Sequence, residues 1–138
     1  MNRQKDLYIG QSTKSVRKFA ADFKQVAEKY GFIIHNSSSM NMSETFAAHG
    51  AKVPEEFDLH MIQLCKPAKS SASLVANPER SLFMPKFVMA FSKNGQTEIR
   101  YMSYGEEDIR EMVVGDDAFP TSLTKTFVKI RSMIDEAK

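Results

Sequence analysis

Tryptophan is absent from these 138 residues, cysteine occurs once, and glycine and proline number only six and five. A single cysteine excludes an intramolecular disulfide, and with it the stapled scaffold of a small secreted domain. With so few glycines and prolines there is no low-complexity linker, and no internal repeat interrupts the chain. An excess of either charge is also lacking. The net charge is +2, so no global electrostatic footprint argues for nucleic acid or an anionic membrane as partner. No apolar run approaches the roughly 18 residues of a spanning helix, and the charged opening of residues 1–10 has no signal-peptide core. Together these absences predict a soluble cytoplasmic protein.

What is present suits a packed core. Apolar residues make up 42% of the chain, aromatic residues 10% and charged residues 26%, a balance unlike that of a disordered segment. The length fits one domain over residues 1–138. Nine methionines are the unusual surplus. Methionine fills irregular gaps and covers adaptable binding surfaces, so the surplus suits either a loosely matched core or a ligand pocket or dimer seam.

Periodicity orders the elements. Val16, Phe19, Phe23, Val26, Ala27 and Tyr30 recur at steps of three and four, predicting an amphipathic helix over 15–30 with Ser15 or Thr13 capping its start and Gly31 ending it. Strands are expected at 7–11, 32–35, 57–65, 87–91 and 97–102. Asn94-Gly95 joins the last two as a two-residue hairpin, because a type I′ turn needs positive φ at both positions. Short helices are expected at 41–49 and 106–114, and another at 68–75 with Pro67 in its first position. A loop lies between Asn77-Pro78 and Met84-Pro85. The final helix opens near Thr121 or Ser122, with Leu123, Phe127, Ile130 and Ile134 on one stripe. This order predicts an α+β fold, a mainly antiparallel sheet of four to five strands with helices packed on one face. Strands 57–65 and 87–91 are apolar on both sides while helices cover only one, so a homodimer is expected.

The run Leu64-Cys65-Lys66-Pro67, then Leu74, Asn77-Pro78, Leu82, Met84-Pro85, Val88, Asn94-Gly95 and Tyr101-Met102, resembles the bacterial and archaeal family known as domain of unknown function 302. Upstream, Gly31-Phe32, Gly50 and Pro54 fit the same pattern. The resemblance covers about residues 7–104 and leaves 105–138 as a C-terminal helical extension. It implies a compact α+β domain that pairs into dimers through its sheet, and it implies no established reaction. Lys66 stands where the family commonly has Asn, and Lys86 stands where one branch has a second Cys. A two-cysteine redox or metal role therefore does not carry over.

Cys65 falls at the junction of a strand and a helix, with Lys66, Lys69 and Lys86 nearby in the sequence pattern. A helix N-terminus and lysines both favour thiolate, so a reactive or ligand-contacting thiol is one reading. A small buried hydrophobe is the more common fate of a free cysteine. The same helix start and lysines would also suit a carboxylate or phosphate, but no glycine-rich nucleotide loop is present. His35, His49 and His60 have unrelated spacings and give no metal-ligand cluster. His60 beside Met61 raises haem ligation as a minor reading, the ordinary one being core packing. The leading expectation is a non-enzymatic, homodimeric domain that binds a small anionic or hydrophobic ligand, or a protein partner, near Cys65. Lys66, Lys69, Lys86 and His60 are the companion residues. A thiol-dependent redox protein using Cys65 is the alternative.

Overall fold

The amphipathic and alternating patterns become a two-layer α+β architecture in a computed structural model that describes residues 6–138, so residues 1–5 of the charged opening segment lie outside it. In chain order the elements are β1 (Leu7–Ser12), α1 (Val16–Lys29), β2 (Ile33–Ile34), α2 (Met42–Ala48), β3 (Leu59–Cys65) and α3 (Pro67–Ala76). A 3-10 helix (Pro78–Phe83), β4 (Lys86–Lys93), β5 (Gln96–Met102), α4 (Glu106–Met112) and α5 (Phe119–Ala137) complete it. The strands form one five-stranded sheet in the order β1-β5-β4-β3-β2, and every pairing is antiparallel.

Local chemistry explains the boundaries. The Ser15 hydroxyl accepts the Lys18 amide at 3.1 Å and caps α1, and Gly31 takes φ +84° beyond its end. Asn94 and Gly95 adopt φ of +54° and +76°, the paired left-handed conformation expected of a type I′ turn. Several elements are one or two residues shorter than the sequence reading, β3 starting at Leu59 and α4 ending at Met112, and two boundaries differ for a reason the structure shows. The segment read as a loop after Asn77 winds into the 3-10 helix, started by Pro78 and by the Asn77 side chain, which accepts the Glu79 amide at 3.1 Å. The last helix begins at Phe119, ahead of Thr121 and Ser122. Its cap is the Asp116 carboxylate, which accepts the Phe119 amide at 3.0 Å from outside the helix.

One face of the sheet carries the core. Ile62 and Leu64 of β3, Val88 and Ala90 of β4, and Ile99 and Tyr101 of β5 are buried with Phe19 and Phe23 of α1 and Phe127, Ile130 and Ile134 of α5. Tyr101 meets Phe127 edge-on with ring centroids 6.3 Å apart. The α5 stripe thus belongs to the same buried cluster as the strands. Alternation sends Leu59, Met61, Phe87, Met89, Phe91 and Met102 to the opposite side of the sheet, where Ile9 is 63% exposed and Met102 43%. Among the described residues, no helix is long and apolar enough to cross a membrane.

Candidate functional site

β3 ends at Cys65, and Lys66-Pro67 turns the chain directly into α3, with Pro67 in the first turn, where its missing N–H costs nothing. β4 begins opposite, Lys86 pairing with Leu64 across the ladder. The first turns of α5 complete the enclosure. Between these segments lies a cavity of about 150 Å³. Five lysines line it: Lys66 and Lys69 from the start of α3, Lys86 from β4, and Lys125 and Lys129 from α5. Ser70, Ser73, Ser122 and Thr126 add hydroxyls, and Phe32, Met84, Phe119 and Leu123 form an apolar lining. Among the described residues, no carboxylate lines it.

The lysines are held mainly by contacts to uncharged groups, and Lys129 lies near enough to Glu136 for the two charges to act on each other. Lys69 donates to the Thr126 hydroxyl at 2.7 Å. The Lys66 ammonium sits over the Phe32 ring, 5.3 Å from its centroid, and its stem lies across Gly31, where a Cβ would come within 3.4 Å of Lys66 Cε. Lys129 sits 3.3 Å over the Tyr30 ring. Lys86 is 9% exposed and donates to the Phe83 carbonyl at 3.0 Å. None of the five forms an ion pair among the described residues. Burial depresses the Lys69 pKa, and the neighbouring Lys66 and Lys125 charges push it the same way. Burial likewise lowers Lys86 from 10.5 to about 8; Cys65 works against this and Lys69 adds to it.

The Cys65 thiol is half-buried and donates to the Ser70 hydroxyl at 3.6 Å, and no histidine lines its cavity. Of the residues expected to act together, Cys65, Lys66, Lys69 and Lys86 do converge. His60 does not. It is the second residue of β3, five residues back, lining a separate groove with Arg17, Lys24, Met40, Asn41 and Glu44. Its side chain is buried, its Nδ1 is 3.5 Å from an Asp58 oxygen, and burial lowers its pKa. His60 and Met61 project to opposite sides of the sheet, so the adjacent pair cannot ligate one iron between them. Lys125 and Lys129 escaped the sequence reading. Their signal was the recurrence of Ser122, Lys125, Thr126 and Lys129 at steps of three and four beside the apolar stripe of α5, a pattern that also describes an ordinary solvated face.

Beside the cavity, Asp116 anchors the start of α5 to the 3-10 helix. Its carboxylate accepts Arg80 Nε at 2.6 Å, Arg80 Nη2 at 3.0 Å, Asn77 Nδ2 at 2.9 Å and the Phe119 amide. The Arg80 guanidinium foremost holds the carboxyl well below the usual carboxylate range. This clamp fixes Phe119, and with it one wall of the cavity.

No curated protein matches the chain. A solved structure, that of an uncharacterised conserved DUF302 protein from Bacillus stearothermophilus, superposes with a TM-score of 0.76 at 15% identity, covering 96% of this chain and 98% of that one. At that identity the likeness establishes the shared fold. The family model described as Domain of unknown function DUF302 matches residues 8–137. That span includes α4 and α5, which the motif resemblance, ending at Tyr104, had set aside as an extension. The lysine stripe of α5 therefore falls inside the matched region, and the chain belongs to the DUF302 family.

Proposed function

We propose that the protein is a binding domain for a small organic anion with an apolar body, held in the cavity beside Cys65. The observation that carries this reading is the convergence of five lysines from three segments on a half-open cavity that, among the described residues, no carboxylate lines. Like charges gathered without a partner repel one another, and a bound anion relieves that repulsion while gaining several charge-assisted hydrogen bonds. Phe32, Met84, Phe119 and Leu123 supply the apolar contact that a bare inorganic ion would leave unused. A cavity of this size holds a molecule of about six heavy atoms. Calorimetry with butyrate and with inorganic phosphate tests the reading. Butyrate is expected to bind more tightly than phosphate, and Lys125→Glu is expected to weaken it about tenfold. If neither ion binds at low ionic strength, the proposal fails.

A second feature supports self-association. The uncovered sheet face sets exposed Ile9, Ile33 and Met102 beside Met61, Met89, Phe87 and Phe91. Arg100, paired with Glu98 at 2.8 Å, stands between Ile9 and Met89, and Gln63 lies opposite Phe87, so the face offers a partner copy apolar side chains grouped around polar ones. We infer that two copies pack these faces together, the adaptable methionines matching across the seam. Light scattering is expected to give twice the 15.6 kDa chain mass. Met89→Glu is expected to return a folded monomer, and a wild-type monomer at micromolar concentration would refute the pairing.

A further inference from the structure

Lys86 stands apart from the other four cavity lysines. Their stems rise from helix surfaces or the turn before α3, whereas Lys86 comes off the core face of a sheet strand and is buried. Its ammonium has one hydrogen-bond partner, the Phe83 carbonyl, and no carboxylate answers its charge among the described residues. The titratable groups around it are the Cys65 thiol at the end of β3 and the Lys69 ammonium on α3, while Met84, Phe119 and Leu123 line the same space. A core strand position is a costly place for a lysine whose only task is to attract an anion that four other lysines already attract.

We propose that Lys86 is a nucleophile that forms a reversible imine with a small oxo-carboxylate bound in this cavity. The inference rests on the anion-binding reading given above and names the ligand's class. The other lysines hold the carboxylate and bring the neighbouring carbonyl carbon to the buried amine. The neutral Lys86 amine, having lost its proton to solvent, adds to that carbon. The carbonyl oxygen becomes the hydroxyl of a carbinolamine, taking up the proton that nitrogen gives up. Protonation of that hydroxyl by a neighbouring ammonium such as Lys69 expels water and leaves a protonated imine, and Lys69 regains from solvent the proton that Lys86 released. The balance is one lysine ammonium plus one carbonyl giving one iminium plus one water, with no oxidant or reductant. Burial and nearby positive charge favour the neutral amine, which is the general means of activating a lysine nucleophile.

The test is incubation of the full chain at pH 7.5 with pyruvate and sodium cyanoborohydride, followed by intact-mass measurement and peptide mapping. Hydride from the reagent converts any imine to a stable secondary amine. Apart from the α-amino group, whose ordinary pKa of about 8 lets it label as well, one adduct per chain is expected, mapped to Lys86 in the wild-type protein and absent from it in Lys86→Arg. With its pKa at about 8, Lys86 is neutral on the order of a hundredfold more often than an ordinary surface lysine, so it should label well ahead of the rest. Butyrate should compete, and Lys86→Arg should abolish the adduct. Calorimetry with pyruvate runs in parallel. If pyruvate binds but labelling is absent, or is spread over surface lysines, the imine is overturned while the anion pocket stands. If neither pyruvate nor butyrate binds and no adduct forms, both readings fall together.

Discussion

Replacing Lys86 with methionine removes a buried charge while keeping a side chain of similar length and shape. In the wild-type protein this ammonium is 9% exposed, and burial first, then Lys69, lowers its pKa from 10.5 to about 8. At 1.36 kcal/mol for each tenfold change, holding the charged form in the fold costs about 3 kcal/mol. The variant recovers that amount and loses the hydrogen bond to the Phe83 carbonyl, worth about 1 kcal/mol. Lys86→Met is therefore expected to be more stable than wild type by about 2 kcal/mol at pH 7. The pH dependence carries the sharper signature. Below pH 8 the lysine is charged in both folded and unfolded chains, so the penalty is full and constant. Between pH 8 and 10.5 the unfolded chain binds more protons than the folded one, so wild-type stability rises with pH through that window. Above it the penalty is gone and the variant's advantage disappears. Urea unfolding of both proteins from pH 6 to 10.5 measures the gap directly, and taking the difference cancels the titrating groups that Lys86 does not touch. A gap that stays constant across this range, or a wild type more stable than the variant at pH 7, refutes the reasoning.

Three further outcomes are expected. Butyrate affinity should fall as pH rises through 8, because the bound anion raises the lowered Lys86 and Lys69 pKa values and binding then requires proton uptake; calorimetry that shows one affinity at pH 7 and pH 9 counts against the lysine cluster. The same affinity should weaken on going from low to high salt, since most of the lysine charges lie near solvent. Asp116→Ala should destabilise the fold by roughly 3 kcal/mol in denaturant titration, because it strands the Arg80 guanidinium and uncaps α5 at once; a loss under 0.5 kcal/mol would show the clamp to be ornamental.

Most of the secondary structure could be read in advance because its causes are local. The three-and-four spacing from Val16 to Tyr30, the glycine after it and the Asn94-Gly95 turn each act within a few residues, and each appears where expected. The start of α5 was misplaced because its cap, Asp116, lies outside the helix and is held by Arg80 from another segment. His60 was expected among the companions of Cys65, but five residues along an extended strand amount to about 17 Å, enough to carry it to another groove.

The chain's own periodicities and turns were enough to specify an antiparallel α+β sheet with one helical layer and a lone cysteine at a strand-to-helix junction. They could not say that Lys125 and Lys129, some sixty residues further on, would face that junction. An amphipathic stripe states which residues avoid the core, and it is silent on whether they meet water or another segment. That choice depends on where α5 crosses the sheet, which is decided by the packing of Phe127, Ile130 and Ile134 on the strands and on α1. Long-range packing therefore turned scattered surface lysines into one cavity.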